Sequence, residues 1–175
     1  MQTSKSGFDP IQFTQSPLKT DGWIKFTNPP EEVFKVVSDH EGMKVLLPLV
    51  KEITVSNPPD IQPGESGIGT ARTLEFQGGI KVVETIVFWK PPFGYAYSAT
   101  GNVFPLQNYI GYMGIEPADG GGGTFIFREY YDVKGKLQNT VIPHGVVLAM
   151  KQAFGKLSKL IGGTEFDVRE ASSDA

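Results

Sequence analysis

The chain contains no cysteine. That excludes disulfides, thiolate metal centres and cysteine nucleophiles together, and suits a reducing compartment. It has no excess of positive charge either, with 16 Lys and Arg against 19 Asp and Glu, a net charge of −3 and a pI near 5.4. Nucleic acid is therefore not an expected partner, because displacing counterions from phosphates needs a basic stripe. No apolar run approaches the ~18 residues required to cross a bilayer. The start, "MQTSKSGFDP", is polar and unlike a secretory signal, so the expected location is cytoplasmic.

Several motifs fail on spacing. "GESG" at 64–67 is not a nucleophile elbow, and "GIG" at 67–69 is not a dinucleotide loop. Asp39, His40 and Glu41 crowd three possible metal ligands, but adjacent residues at a helix end point apart. No metal site and no cofactor are expected.

What is present is a globular composition, 39% hydrophobic and 20% charged over 175 residues. It suits one domain that buries about two-thirds of its unfolded surface. Residues 1–17 lack periodicity and are expected to form a poorly ordered arm. "LKTDGWIKFTN" reads as a first strand, with Ile24 and Phe26 on one face. In "NPPEEVFKVVSD" the sequence predicts a helix, with Asn28 as cap, proline in the first turn and Glu31 completing a capping box. "EGMKVLL" reads as a second short helix stopped by Pro48, and "LVKEITVS" as a strand. Five further strands are expected near 67–77, 79–90, 94–102, 106–117 and 123–133. Their connections are short, which forces antiparallel neighbours. Val146, Met150, Ala153, Leu157 and Leu160 recur at helical spacing in a last helix that ends at Gly162-Gly163. Residues 164–175 read as a loose polar tail. The domain thus spans 18–163, an α+β fold with seven antiparallel strands. Such a sheet covers its dry face by curling around the long C-terminal helix.

The ordered fragments "PPEEVFKVVSD", "GIGTARTLEF", "VVETIVFWKPP", "YAYSATG", "YIGYMGIEP" and "GGGGTFIF" together resemble the START-like, SRPBCC superfamily in its polyketide cyclase/dehydrase branch. The resemblance covers about residues 20–162. It implies a helix-grip fold with a small-molecule pocket between sheet and helix. It does not imply one reaction, since fold alone does not fix function.

Two charges sit on faces that should be dry. Arg72 shares a strand face with Leu74 and Phe76, and Glu84 shares one with Val82 and Ile86. A three-residue loop at Gln77-Gly78-Gly79 brings Arg72 directly opposite Glu84. Buried arginine needs a carboxylate to satisfy its donors. The pair either fixes strand register or serves as a polar handle in an apolar pocket. Arg128 poses the same question. Ile126, Arg128 and Tyr130 share one face; Phe125, Phe127, Glu129 and Tyr131 share the other. The family pattern places Arg128 inward, where it would favour an anionic or carbonyl-bearing ligand. An outward, solvated Arg128 is the alternative.

The expected lining is Phe76, Phe88, Tyr95, Tyr97, Tyr109, Met113, Met150, Ala153 and Leu157, with Arg72, Glu84 and Arg128 as polar groups. The expected function is binding or carriage of a hydrophobic, aromatic or polycyclic molecule. The alternative is a cyclase-like enzyme in which Arg72 stabilises an oxyanion and Tyr97, Tyr109 or His144 moves protons. The Gly78-Gly79 hairpin, the loop around Phe104 and the segment before the last helix should frame the mouth. The same parity points Ile110, Tyr112, Phe125, Phe127 and Tyr131 outward as one apolar patch. Either a second copy of the chain or the arm, through Phe8, Ile11 and Phe13, should cover it.

Overall fold

The computed structural model describes residues 5–100 and 106–171, with only the backbone of 136–138. Phe104, whose loop is expected at the cavity mouth, lies outside the described residues. Eight strands form one antiparallel sheet: β1 Leu18–Phe26, β2 Val50–Ser56, β3 Ala71–Phe76, β4 Lys81–Lys90, β5 Gly94–Thr100, β6 Leu106–Pro117, β7 Gly123–Val133 and β8 Gly163–Glu170. Their order across the sheet is β2-β3-β4-β5-β6-β7-β1-β8. Helix α1 spans Pro30–Ser38, a 3-10 turn follows at Gly42–Val45, and helix α2 spans Lys136–Leu160. The sheet curls around α2, whose inner face meets Phe125, Phe127 and Val168 in the main core.

Local chemistry explains most boundaries, and corrects some. Helix α1 starts with Pro30, whose missing N–H would be unpaired in a first turn anyway. Its cap position is Pro29 and it has no side-chain cap bond, so neither Asn28 nor Glu31 caps it. Helix α2 begins before the expected Val146, runs through Pro143-His144-Gly145, and tolerates the one backbone bond that proline forgoes. Its wet face carries Lys151, Lys156 and Lys159, but Leu160 is also exposed and Ile161 is buried in its place. Gly22 permits the close packing of α2 on β1. A Cβ there would come within 2.9 Å of the Phe154 ring.

The expected loose tail is instead an edge strand. β8 pairs with β1 from Thr20↔Glu170 to Phe26↔Gly163 and inserts Val168 beneath α2. Of its eight residues only Val168 is buried, so the strand leaves little apolar periodicity in the sequence.

The arm is not loose either. From Ser6 to Pro17 it lies across the outer face of the sheet. Phe8 and Phe13 pack with Tyr112, Ile110, Tyr130, Phe88 and Ile126 in a second apolar cluster. Thr14 Oγ1 donates to the Asn108 carbonyl, and Ser16 Oγ donates to Asp132. Ile11, by contrast, is exposed. The patch expected on that face is there, but its membership differs. Ile110 and Tyr112 point outward, whereas Phe125, Phe127 and Tyr131 are inward and almost fully buried.

Candidate functional site

The hairpin register is the one that the Gln77-Gly78-Gly79 loop demands. Phe76 N–H donates to the Ile80 carbonyl, Leu74 faces Val82, and Arg72 faces Glu84. Both charged side chains are buried and turn inward. Arg72 Nε donates to Glu84 Oε2 at 2.5 Å. Its Nη1 reaches Met43 Sδ at 3.1 Å and His40 Nδ1 at 3.3 Å. The guanidinium carbon sits 4.6 Å from the centre of the Tyr97 ring. Burial works against the charge of Arg72, but the Glu84 carboxylate more than offsets it and holds the guanidinium pKa above its ordinary value. His40, buried beside this cation, is pushed down to about 4, chiefly by desolvation and then by Arg72. It is therefore neutral at pH 7.

Between the concave face of the sheet and α2 lies a cavity of about 530 Å³. Arg72, Phe76, Glu84, Tyr97, Tyr109, Met113, Met150, Ala153 and Leu157 line it, as read from the sequence. Its exposed lining residues are Leu49, Thr100, Val141 and Gly145. They place the rim between the segment before β2, the end of β5 and the first half of α2. The pocket wall is apolar apart from one row of polar groups on the sheet.

Four assignments change. Phe88 faces outward, against Phe8, because the β4–β5 register shifts between Ile86 and Phe88 and reverses the alternation. Tyr95 is inward but lies behind the cavity, where its hydroxyl donates to the Val37 carbonyl at 2.7 Å. Arg128 points outward and pairs with Asp21 at 3.2 Å across the β1–β7 ladder. His144 is largely exposed and lies 3.3 Å from Glu170, away from the cavity.

Reversing the parity of β7 brings in a residue that the sequence reading placed outside. Glu129 lines the cavity and is buried. Tyr109 Oη donates to Glu129 Oε1 at 2.6 Å, while Oε2 is buried with no hydrogen-bond partner among the described residues. Burial raises the Glu129 carboxyl to about 7, against the pull of the Tyr109 and Thr20 hydroxyls. Burial also holds the hydroxyls of Tyr97 and Tyr109 well above the ordinary tyrosine range, so both stay protonated donors. One signal could have found Glu129. Asp21 lies opposite Arg128 on the outer face, and that complementarity fixes the β7 parity. Other missed lining residues, Met43, Leu46 and Leu49, come from the segment between α1 and β2.

Among the described residues no three His, Asp or Glu side chains converge as a metal site would require. No helix among the described residues is long and apolar enough to cross a membrane.

A curled antiparallel sheet gripping one long helix over an apolar pocket defines a helix-grip domain. Residues 14–162 match the model of the family described as polyketide cyclase / dehydrase and lipid transport, and the chain belongs to that family. Solved structures share the fold at low identity. A conserved protein from Geobacillus kaustophilus is 18% identical with a TM-score of 0.63, covering 86% of this chain and 99% of its own. The protein XoxI from Bacillus cereus is 15% identical with a TM-score of 0.60, covering 83% and 96%. Ara h 8.0201 is 19% identical with a TM-score of 0.57, covering 82% and 99%. Comparison with curated proteins gives no match.

Proposed function

We infer that the protein binds a hydrophobic small molecule, aromatic or polycyclic, between sheet and helix, and acts as a carrier or binding module. The observation that carries this reading is the cavity of about 530 Å³, walled by side chains such as Phe76, Met113, Phe127 and Met150. That volume and that balance of many apolar groups with a few convergent polar ones are typical of ligand sites. The aromatic row Tyr97–Tyr109, with ring centres 6.0 Å apart, supplies flat surface for a ring system.

Two of the four catalytic candidates lose their place. Arg72 is committed to Glu84, and His144 lies outside the cavity. This favours binding over cyclisation. Native mass spectrometry on protein purified from its own cells tests the reading. The expected result is a retained apolar molecule that dissociates on unfolding. Repeated recovery of ligand-free protein that also fails to bind aromatic probes in titration would overturn it.

A further inference from the structure

Among the described residues that line the cavity, one buried oxygen lacks a well-formed hydrogen bond, and it is an acceptor. The cavity's Arg72 cation is already engaged by Glu84, Met43, His40 and the face of Tyr97. No other lysine or arginine lines the cavity among the described residues. Arg128 and Arg169 both turn to Asp21 instead. A ligand carboxylate would therefore enter without a free cation, next to a second carboxyl. Glu129 stands at the opposite balance. Tyr109 fixes one of its oxygens, and the other is buried short of a well-formed hydrogen bond, with the Thr20 hydroxyl of β1 as its nearest protein donor. An unpaired carboxylate oxygen in an apolar setting is costly, and a hydrogen-bond donor relieves that cost.

We propose that Glu129 is the polar anchor of the cavity and receives a hydroxyl donor, so that the ligand is an apolar molecule ending in a phenol or alcohol and not in a carboxylate. The inference rests on the cavity being a ligand site, and it replaces the anionic ligand that an inward Arg128 would have implied.

The anchor also links binding to pH. The groups facing Glu129 are Tyr97 on β5, Tyr109 on β6, Tyr131 on β7, Thr20 on β1, and the Arg72–Glu84 pair on β3 and β4. None of the described α2 residues that line the cavity is titratable, and His144, Lys151 and Lys156 in the same stretch are exposed. Glu129 is thus the group that changes charge near neutrality, at about 7. A donor ligand prefers the carboxylate, so its affinity rises as pH rises through that value.

Calorimetric titration of the full chain with three matched probes tests the proposal: 2-naphthol, 2-methoxynaphthalene and 2-naphthoate. The first can donate, the second can only accept, and the third is an anion. At pH 8, 2-naphthol should bind about tenfold more tightly than 2-methoxynaphthalene, with 2-naphthoate weakest. The affinity for 2-naphthol should fall between pH 8 and pH 5.5. Glu129→Gln should remove its advantage over 2-methoxynaphthalene, because an amide N–H then stands where the carboxylate oxygen was. The wild-type series decides the matter even if that variant does not fold. Equal binding of 2-naphthol and 2-methoxynaphthalene, or tightest binding of 2-naphthoate, overturns the anchor and leaves the cavity reading intact. Binding of none of the three overturns both.

Discussion

Phe8 lies flat on Tyr112, with ring centres 4.2 Å apart and planes within 6° of parallel. Ser6 and Tyr112 join their hydroxyls at 2.6 Å beside the stack. A segment from the N-terminal arm thereby closes an aromatic face that would otherwise meet water. Burying Phe8 and Phe13 stabilises the fold by roughly 3–5 kcal/mol. The full chain is expected to be monomeric. A chain beginning at Leu18 should melt lower and self-associate through the exposed Ile110, Tyr112 and Phe88. Size-exclusion chromatography with light scattering checks this. A truncated chain that stays monomeric with an unchanged melting temperature would show that the arm contributes nothing.

Glu84→Gln should be strongly destabilising. It leaves the Arg72 charge buried opposite a neutral amide, and breaking a buried pair costs about 3 kcal/mol or more. In a chain of this size that is roughly 10 °C in Tm. Replacing both residues by apolar ones, Arg72→Met with Glu84→Leu, should cost much less than Glu84→Gln alone, because neither charge is then stranded. Equal losses in the two variants would mean that the pair's value is packing and not charge.

The antiparallel run from β3 to β7 was legible because short loops leave its pairing no choice, and because Gln77-Gly78-Gly79 sets one register. The errors share physical causes. The bulge before Phe88 leaves no mark in "VETIVFWK", where apolar residues occupy both faces. In β7 the outer residues Ile126 and Tyr130 are as apolar as the inner ones, because the outer cluster they join is covered by the arm. Alternation then carries no parity, and the side on which Glu129 lies cannot be read from it. An edge strand that buries one residue, as β8 does, lies below what periodicity can detect.

Gly111 faces Tyr97 across β5 and β6, and a Cβ on it would fall 2.3 Å from Tyr97 Cζ. The missing side chain is what lets the ring lie over the strand and meet Arg72. Gly111→Ala should push Tyr97 off that position, cost about 1–3 kcal/mol and weaken binding of aromatic probes. Thermal melts with probe titration check it. Unchanged stability and affinity would mean that the ring has room to move.

His40 should make the fold acid-sensitive. Its folded pKa, about 4, lies below the ordinary 6.5. The unfolded chain therefore binds a proton first as pH falls. The stability this neutral side chain contributes is complete above 6.5 and is lost between 6.5 and 4, on the order of 3 kcal/mol at most. His40→Gln should flatten urea-derived stability across that window. A variant that loses stability on acidification as steeply as the wild type would exclude His40 as the cause.

Glu129 should act in the opposite sense. Its carboxyl is raised from 4.5 to about 7 in the folded chain. Between those values the folded state holds a proton that the unfolded state has released, so stability falls as pH rises from 4.5 to 7 and is level above. The loss is on the order of 3 kcal/mol. Glu129→Gln is neutral throughout and escapes it, while keeping an oxygen that can accept from Tyr109. The variant should therefore gain on the wild type between pH 5 and pH 8, and the gain should appear in the difference between their urea stabilities. His40 titrates in both chains and cancels in that difference. Adding 2-naphthol at pH 8 should shrink the gap by stabilising the wild-type carboxylate, a shift that a merely structural Glu129 would not produce. A difference that stays constant from pH 5 to pH 8 would mean that Glu129 is ionised at its ordinary pKa, solvated in a way the buried carboxyl beside Tyr109 does not suggest.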